Sequence, residues 1–390
     1  MQSIHTTDKV FSFQLPRKIL FGVKVSEKVG LEAKATCGKR ALLVTDKGLA
    51  KTGVPQKIEK TLAEEGLSVS IFDEVEPEPF LEVAEKTAKV ARKEEYDIVV
   101  GVGGGSVLDM AKIAAIAVTN PGCMRQYVGV DFVKKTGIPS ILLPTTSGTG
   151  SEVTNVAVVT VAEDEMKNAV ISSHMLATVA MVDPTLAYTL PPRLTASTGL
   201  DALSHALEAL MSVHANPITD ALALQAIRLI FAHLPTAYRK GDPESRYAMS
   251  LGAMVAGMAF GNSGVCLGHA AAYSFSVTYK VHHGLSCGLV LPFALEFNAP
   301  AIPEKLPQIA AAMNLEAEKL KPEELPVCIS AAILRLAEEV QLPRRLRDIG
   351  IPREALEKLA NKILTFKRVL SRNPRPISRE EALRLFEEMW

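Results

Sequence analysis

The stretch YDIVVGVGGGSVLDMAK, from Tyr96 to Lys112, joins a short apolar run, a glycine cluster and the start of a helix. The cluster consists of Gly101, Gly103, Gly104 and Gly105. Glycines at such a junction let the backbone turn sharply and let a phosphate approach the main chain. Ser106 is placed to cap the new helix, whose free N–H groups and dipole favour an anion. The stretch predicts a phosphate-binding loop, and a tight strand-to-helix turn is the simpler alternative.

Working outward, short apolar runs alternate with helical patterns through the first half of the chain. The helical patterns flanking the stretch on its N-terminal side are Ile58–Glu65 and Leu81–Lys93. The strand-like runs are Ala41–Val44, Val69–Phe72, Ile98–Val102, Ser140–Leu143, Val156–Val161 and Val179–Val182. Alternation of this kind predicts an α/β domain with a parallel sheet covered by helices on both faces.

The pattern changes after Pro191 and Pro192. Leucines then recur at helical spacing, as do the apolar residues of Asp220–Leu234, Arg246–Phe260 and Ile329–Val340. Prolines punctuate this half, for example Pro235. We predict two domains, an α/β domain over residues 1–191 and an all-helical domain over residues 192–390.

Composition excludes several classes of protein. The 390 residues carry 43 basic and 43 acidic side chains without a basic run, which argues against nucleic acid or an anionic membrane as a partner. No signal-peptide core opens the chain, and no apolar run approaches the roughly 18–20 residues of a membrane helix. Five scattered cysteines without a Cys-x-x-Cys pair argue against disulfides and fit a reducing compartment. We therefore expect a soluble, cytoplasmic protein.

Two further features of the α/β half fit a bound nucleotide. Asp46 ends the apolar run LLVTD, where its carboxylate would accept hydrogen bonds from ribose hydroxyls and repel a 2′-phosphate. This favours NAD over NADP, although an ordinary turn aspartate is the alternative. The loop LPTTSGTGSE, residues 143–152, offers the hydroxyls of Thr145 and Thr146 after another strand. Two such loops suggest a nucleotide lying across the sheet edge.

The segment GLDALSHALEAL, residues 199–210, indicates metal binding in the helical half. Asp201 and His205 are four residues apart, so they lie on one helical face. Such a pair suits a divalent metal, with Glu208 as an outer partner that orients a ligand. The alternative is a hydrogen-bonded surface pair.

Two more histidines extend this set of candidate ligands. His269 lies in the alanine-rich CLGHAAAY, and His283 precedes a glycine in KVHHGLSCG, where His282 is a local alternative. Asp201, His205, His269 and His283 together would supply three nitrogens and one oxygen. That donor set suits Fe²⁺ or Zn²⁺ rather than Mg²⁺ or Ca²⁺, and it does not decide between the first two.

With these residues in view, the chain resembles the iron-containing (group III) alcohol dehydrogenases, a family that includes lactaldehyde reductase. The resemblance extends over essentially the whole chain. Its motifs, in order, are LVTDKGL, GVGGGSVLDMAK, PTTSGTGSEVT, VDPTLAYTLPPRLTASTGLDALSHALEA, AGMAFGNSG, GHAAAY and HHG. It implies a Rossmann-like N-terminal domain, a helical metal-binding domain and an active site in the cleft between them. It also implies a homo-oligomer, in many members a dimer.

The resemblance also implies roles for individual residues. By position, Asp201, His205, His269 and His283 match the metal ligands, and Asp46 matches the residue that selects NAD. The pyrophosphate loop corresponds to Gly103, Gly104, Gly105 and Ser106, and further cofactor contacts correspond to Asp109, Thr145, Thr146 and Lys167. Many alcohol-active members carry a histidine four residues after the third ligand, whereas this chain has Tyr273. A tyrosine there would donate a hydrogen bond, pass a proton or narrow the pocket.

The expected activity is reversible hydride transfer between a small primary alcohol or diol and NAD(H), with the metal as Lewis acid. Three alternatives remain open at this point. The same architecture serves dehydroquinate-synthase-like lyases, which need basic residues for a phosphorylated sugar acid. Glycerol dehydrogenases are closer, but as a group they lack one of the four ligands. A non-catalytic NAD-binding protein would bind nucleotide without metal.

Overall fold

The computed structural model describes residues 10–36, 38–161, 166–316 and 319–390, so Cys37 and the first nine residues lie outside the described residues. The strands are β1 Lys18–Phe21, β2 Arg40–Val44, β3 Ser68–Phe72, β4 Ile98–Gly103, β5 Gly129–Val130, β6 Ser140–Pro144, β7 Val156–Val161, β8 Met166–Ile171 and β9 Val179–Val182. The helices of the first half are α1 Val29–Ala35, α2 Lys47–Ala50, α3 Val54–Glu64, α4 Leu81–Lys93 and α5 Gly105–Thr119.

The described residues of the second half form helices joined by loops, and no strand is assigned among them. Its helices are α6 Pro192–Met211, α7 Pro217–Arg239, α8 Pro243–Ser263, α9 Leu267–Ser276, α10 His283–Asn298, α11 Leu306–Ala312, α12 Leu325–Glu339, α13 Leu356–Ile363, α14 Lys367–Leu370 and α15 Arg379–Met389. Pro235, one of the prolines that punctuate this half, lies inside α7 and does not end it. The last strand ends at Val182 and α6 begins at Pro192, and we propose the domain boundary between these two elements.

The main sheet confirms the predicted α/β class. Its six strands follow the order β1-β9-β6-β4-β2-β3, and every neighbouring pair is parallel. Apolar clusters cover both faces, which explains the continuous apolar runs of the central strands. Because parallel strands end at one edge, the segments that follow β2, β4 and β6 lie side by side there.

One predicted strand belongs to a different sheet. Val156–Val161 forms β7, which pairs antiparallel with β8, and β8 pairs in parallel with the short β5. The hairpin register places Thr160 opposite Lys167. This second sheet brings Lys167 towards the helical half, which strand periodicity alone does not reveal.

Helix α6 is the central element of the helical half. It is buried from Thr195 to Met211 and packs against α7, α8 and α10. The apolar cluster around α6 also includes Ala180 and Val182 of β9, so one continuous core joins the two halves. Polar side chains on α6 are thereby held at a fixed position beside the sheet.

Helix α7, at 23 residues, is long and apolar enough by length and composition to cross a membrane. Its buried residues, including Ala223, Ile227 and Ile230, belong to the core shared with α6. Core helices of water-soluble proteins meet the same two criteria, so one helix of this kind is weak evidence of a membrane span.

Candidate active site

The glycine loop lies at the carboxyl edge of the sheet, between β4 and α5. A Cβ at Gly103 would lie 2.6 Å from Val107 Cβ, and one at Gly105 would lie 2.6 Å from Thr149 Cγ2. The glycines therefore let the backbone pack closely against α5 and against the loop that follows β6. Thr146 of that loop would touch a Cβ added at Gly104, at 3.4 Å.

The start of α5 differs from the prediction in one respect. Gly104 is the N-cap residue and makes no side-chain capping bond, so Ser106 does not cap the helix. Instead, the Ser106 hydroxyl accepts a hydrogen bond from the Glu78 backbone N–H at 3.1 Å. The first turn of this 15-residue helix therefore lacks a side-chain cap, which suits a phosphate group.

Asp46 lies on the neighbouring strand end. Val44 of β2 pairs with Gly101 of β4, so Asp46 follows β2 beside the glycine loop. Its Oδ1 accepts the Leu49 N–H at 2.9 Å and caps the short helix α2. The residue is thus oriented by its own turn, next to the place where the phosphate would lie.

The side chains of Thr145 and Asp109 are buried below the surface of the two loops. The Thr145 N–H donates to the Gly103 carbonyl at 3.0 Å and joins the two loops. Asp109 is buried, and its carboxylate accepts hydrogen bonds from the Ser151 hydroxyl at 2.6 Å and the Val158 N–H at 2.9 Å. The Lys112 ammonium lies 3.0 Å from the same carboxylate. Asp109 therefore takes part in an internal network beneath the predicted cofactor loop.

Lys167 links this region with the helical half. Its Nζ lies 3.2 Å from Glu78 Oε2 and 5.9 Å from the centre of the Tyr273 ring. The other oxygen of Glu78 accepts the His283 backbone N–H at 2.9 Å. Glu78 thus contacts both halves, a role that the analysis of the sequence missed. Its position after β3, at the same sheet edge as Asp46, was the available signal.

The four predicted ligands meet beside this edge. His283 Nε2 lies 3.8 Å and His205 Nε2 lies 4.0 Å from Asp201 Oδ1. The Nε2 atoms of His205 and His269 are 3.2 Å apart. Residues from α6, α9 and α10 therefore converge on one small volume. His282, the local alternative, points elsewhere: its Nδ1 lies 2.8 Å from the Ser197 hydroxyl.

Glu208 orients one of these rings, as the spacing on α6 predicted. Its Oε1 accepts from His269 Nδ1 at 2.5 Å, which leaves Nε2 facing the cluster. Burial opposes a charge on His269, but the Glu208 carboxylate outweighs it and raises the pKa of His269. Burial similarly opposes the charge of Glu208, whose pKa is nevertheless lowered by His269.

The other two imidazoles are neutral at neutral pH. Burial lowers the pKa of His205 to about 4. Burial and the nearby Lys167 ammonium hold the pKa of His283 well below its usual range. Asp201 Oδ1 and His205 Nδ1 are buried without a hydrogen-bond partner. Because an unpartnered buried carboxylate oxygen is costly, its position among imidazole nitrogens fits a divalent cation.

Tyr273 forms one wall of the cluster. Its ring stacks on His283 at 5.5 Å between centroids and meets the His269 ring edge to face, at 5.7 Å between centroids. Burial raises the pKa of the Tyr273 hydroxyl. On the other side, Phe260 stacks on His205 at 4.0 Å. Aromatic rings therefore hold two of the imidazoles in place and limit the access of water.

A cysteine not singled out from the sequence also lies here. Cys287 is one helical turn after His283, and its Sγ is 3.7 Å from both ring nitrogens of that histidine. Among the described residues, one group of potential metal ligands has all its donor atoms within 4.8 Å of one another: Asp201, His269, His283 and Cys287. The other described cysteines, Cys123, Cys266 and Cys328, are also free thiols.

Comparison with known proteins gives matches along nearly the whole chain. Residues 16–184 match the family described as iron-containing alcohol dehydrogenase, and residues 195–390 match the C-terminal part of the Fe-containing alcohol dehydrogenase family. Long-chain-alcohol dehydrogenase 1 of Geobacillus thermodenitrificans is 39% identical over 360 residues, which cover 91% of each chain. The 1,3-propanediol dehydrogenase of Klebsiella pneumoniae is 37% identical over 383 residues, or 97% of this chain and 99% of the relative.

A solved structure is likewise similar over nearly the whole length of the chain. The crystal structure of a 1,3-propanediol oxidoreductase superimposes with a TM-score of 0.94 at 37% identity. The superposition covers 98% of this chain and 100% of that chain. The sequence matches and the structural match therefore extend over both the α/β half and the helical half.

Proposed function

Because the chain belongs to the iron-containing alcohol dehydrogenase family, and is an oxidoreductase of that class, we propose that it interconverts a small primary alcohol or diol and its aldehyde with NAD(H). Asp201, His205, His269 and His283 would hold a divalent metal. The family match does not favour a dehydroquinate-synthase-like lyase or a non-catalytic NAD-binding protein. The relatives named for long-chain alcohols and for 1,3-propanediol support an alcohol as the substrate class.

One observation carries the metal part of the proposal. Asp201 Oδ1 is buried and unpartnered, with the Nε2 atoms of His205 and His283 at 4.0 and 3.8 Å. A carboxylate and neutral imidazoles suit Fe²⁺ or Zn²⁺. The bound metal would polarise the alcohol or carbonyl oxygen, and the nicotinamide would exchange the hydride.

The chain's own residues would bind and orient the reactants. The uncapped start of α5, with Gly104 and Gly105, supports binding of the pyrophosphate, and Asp46 supports recognition of the ribose. The Lys167 ammonium is fixed by Glu78 and would attract polar groups of the cofactor.

Tyr273 and Phe260 would exclude water and keep the imidazole rings in position. Since burial raises the pKa of Tyr273, its hydroxyl keeps its proton at neutral pH. We therefore assign Tyr273 the roles of a wall and a hydrogen-bond donor towards substrate oxygen, and not that of a base.

The experiment is an assay of metal-stripped protein after reconstitution with Fe²⁺ or Zn²⁺, using a panel of aldehydes and alcohols with NADH, NADPH and their oxidised forms. We expect turnover only with metal and faster turnover with NAD(H). Asp201→Ala and His269→Ala are expected to lose both bound metal and activity. His174→Ala serves as a control, because that imidazole hydrogen-bonds Thr136 away from the cluster. Undiminished turnover by metal-stripped protein would contradict the proposal.

We also propose a cytoplasmic homodimer, on the basis of the resemblance and of the free thiols of the described cysteines. Light scattering coupled to gel filtration measures the mass directly. A mass near twice 42.0 kDa is expected, and a mass near the monomer value would refute the dimer.

A further inference from the structure

Helix α10 begins at the predicted metal ligand His283 without a cap from its own segment. His282, the N-cap residue, makes no side-chain capping bond, and the first turn of the helix holds no acidic residue. The backbone N–H of His283 instead donates to Glu78 Oε1 at 2.9 Å. A carboxylate at this end of a helix satisfies a free N–H and interacts favourably with the helix dipole. Glu78 therefore caps α10 from the α/β half of the chain.

The same carboxylate holds a cation in the α/β half. Glu78 Oε2 lies 3.2 Å from the Nζ of Lys167, whose side chain is buried. Lys167 lies on β8, opposite Thr160 of β7, and is one of the predicted cofactor contacts. Because a buried ammonium is costly unless a charge pairs with it, Glu78 stabilises the position of Lys167 as well as that of His283.

The backbone of Glu78 is held in an unfavourable conformation. Its φ is +52°, in the left-handed region that residues other than glycine rarely adopt, and the residue lies between Pro77 and Pro79. Such a conformation costs free energy and persists only where the surroundings enforce it. Here the Glu78 N–H donates to Ser106 Oγ at 3.1 Å, and the Pro79 carbonyl accepts the Thr160 N–H at 2.8 Å. The strained backbone places the carboxylate between the two halves.

We propose that Glu78 is a positioning residue that couples the two binding sites, so that NADH and the metal each raise the affinity of the protein for the other. The inference rests on the proposed function, because it assumes that the metal binds His283 and that the cofactor binds beside Ser106 and Lys167. It adds an energetic link between two sites that are built in different halves of the chain.

His283 is the predicted ligand that depends most on such support. Its side chain is 22% exposed, against 6% for His205 and 1% for His269. Glu208 holds the ring of His269 from outside the cluster, whereas Glu78 holds the backbone N–H of His283. The position of the His283 imidazole therefore depends on the helical turn that Glu78 caps.

The coupling follows from a shared cost of ordering. Cofactor bound at the start of α5 and at Lys167 would restrain Glu78, which is itself 30% exposed, and would thereby fix the turn of His283 before a metal arrives. Metal bound to His283 would restrain the same carboxylate from the other side. Each ligand then spares the other part of the ordering cost, which gives positive cooperativity. By linkage, the factor by which NADH raises metal affinity equals the factor by which the metal raises NADH affinity.

The test is a chelator-competition titration of metal-free, full-length protein with Zn²⁺, in the absence and presence of saturating NADH. NADH binding is measured separately, by its fluorescence, with metal-free and with zinc-loaded protein. In the wild type we expect both affinities to rise by the same coupling factor, about 5-fold or more. In Glu78→Ala the factor should fall to about 1, and the zinc dissociation constant without NADH should rise by roughly 10–100-fold.

Glu78→Gln separates the two contacts of the carboxylate. Glutamine keeps an oxygen for the His283 N–H but loses the charge that faces Lys167. Zinc affinity without NADH should therefore fall less than in Glu78→Ala, whereas the coupling factor should still fall. Glu32→Gln is the matched control, because Glu32 forms a surface ion pair with Lys18 at 2.7 Å. Both affinities and the coupling factor should stay at their wild-type values in this control.

The outcomes separate this inference from the proposed function. Independent zinc and NADH affinities in the wild type, or a wild-type coupling factor in Glu78→Ala, would overturn the inference and leave the proposed function standing. Failure of the wild type to bind zinc or NADH would overturn both. Urea unfolding of the metal-free variants shows whether each is folded. If Glu78→Ala is not, Glu78→Gln, with a side chain of nearly the same shape, decides the question.

Discussion

Replacement of Glu208 by glutamine tests how the protein orients a metal ligand. The two oxygens of Glu208 accept hydrogen bonds from separate donors: Oε1 from His269 Nδ1 at 2.5 Å, and Oε2 from the Cys266 N–H at 2.6 Å. Oε2 also accepts the His269 backbone N–H at 3.3 Å. Glutamine has nearly the same shape, but one of its two polar atoms is a donor.

Either orientation of the introduced amide would lose a contact. An NH₂ group facing His269 would demand the tautomer with its proton on Nε2, the atom that faces the cluster. An NH₂ group facing the Cys266 N–H would leave a buried donor unsatisfied, at a cost of about 1–3 kcal/mol. We expect Glu208→Gln to weaken metal binding by roughly 10–100-fold, or about 1.4–2.7 kcal/mol.

The assay is a competition titration of zinc against a chelator, with denaturant unfolding of the metal-free protein beside it. Ser212→Ala is the matched control, because the Ser212 hydroxyl donates a buried hydrogen bond to the Ser263 carbonyl near the same end of α6. The control should lose stability without losing metal affinity. Metal affinity of Glu208→Gln within twofold of the wild type would refute the assigned role of Glu208.

Three other perturbations have defined outcomes. Gly105→Ala places a Cβ 2.6 Å from Thr149 Cγ2, so the KM for NADH should rise several-fold, and an unchanged KM would place the cofactor elsewhere. Asp46→Ser removes a charge that would repel a 2′-phosphate under the proposed function, so the ratio of kcat/KM for NADPH to that for NADH should rise, and a constant ratio would contradict the assignment. Burial raises the pKa of Glu152 to about 7, so between pH 4.5 and 7 the folded state keeps a proton that the unfolded state has released. The contribution of Glu152 to the free energy of unfolding therefore falls as the pH rises through that window. Unfolding of the metal-free protein in urea should therefore show Glu152→Gln gaining stability relative to the wild type from pH 5 to pH 7, and a constant difference would argue against the raised pKa.

Glu78 makes contacts in both halves of the chain at the candidate site. Glu78 accepts from His283, pairs with Lys167 and donates its own N–H to Ser106. The start of α5 and the start of α10 are thus held at a fixed separation. Glu78 therefore helps to position both the predicted phosphate site and the predicted metal site.

The sequence by itself determined the features that depend on local periodicity. Apolar runs such as Ile98–Val102 predicted strands that the structure confirms, because burial on both faces requires continuous apolar residues. The four-residue spacing of Asp201 and His205 placed both on one face of α6, because a helix completes a turn in about 3.6 residues. Glu208, one turn further along the helix, was predictable as an outer partner from that spacing.

Only the tertiary structure decided which distant groups meet. Ser106 had the composition of a helix cap, but the arrival of Glu78 gives its hydroxyl another partner. His283 rather than His282 faces Asp201, and Cys287 follows it there, because the packing of α10 against α6 sets the rotation of that helix. Periodicity specifies which face of a helix is buried, whereas the contacts made on that face depend on how separate helices pack into one core.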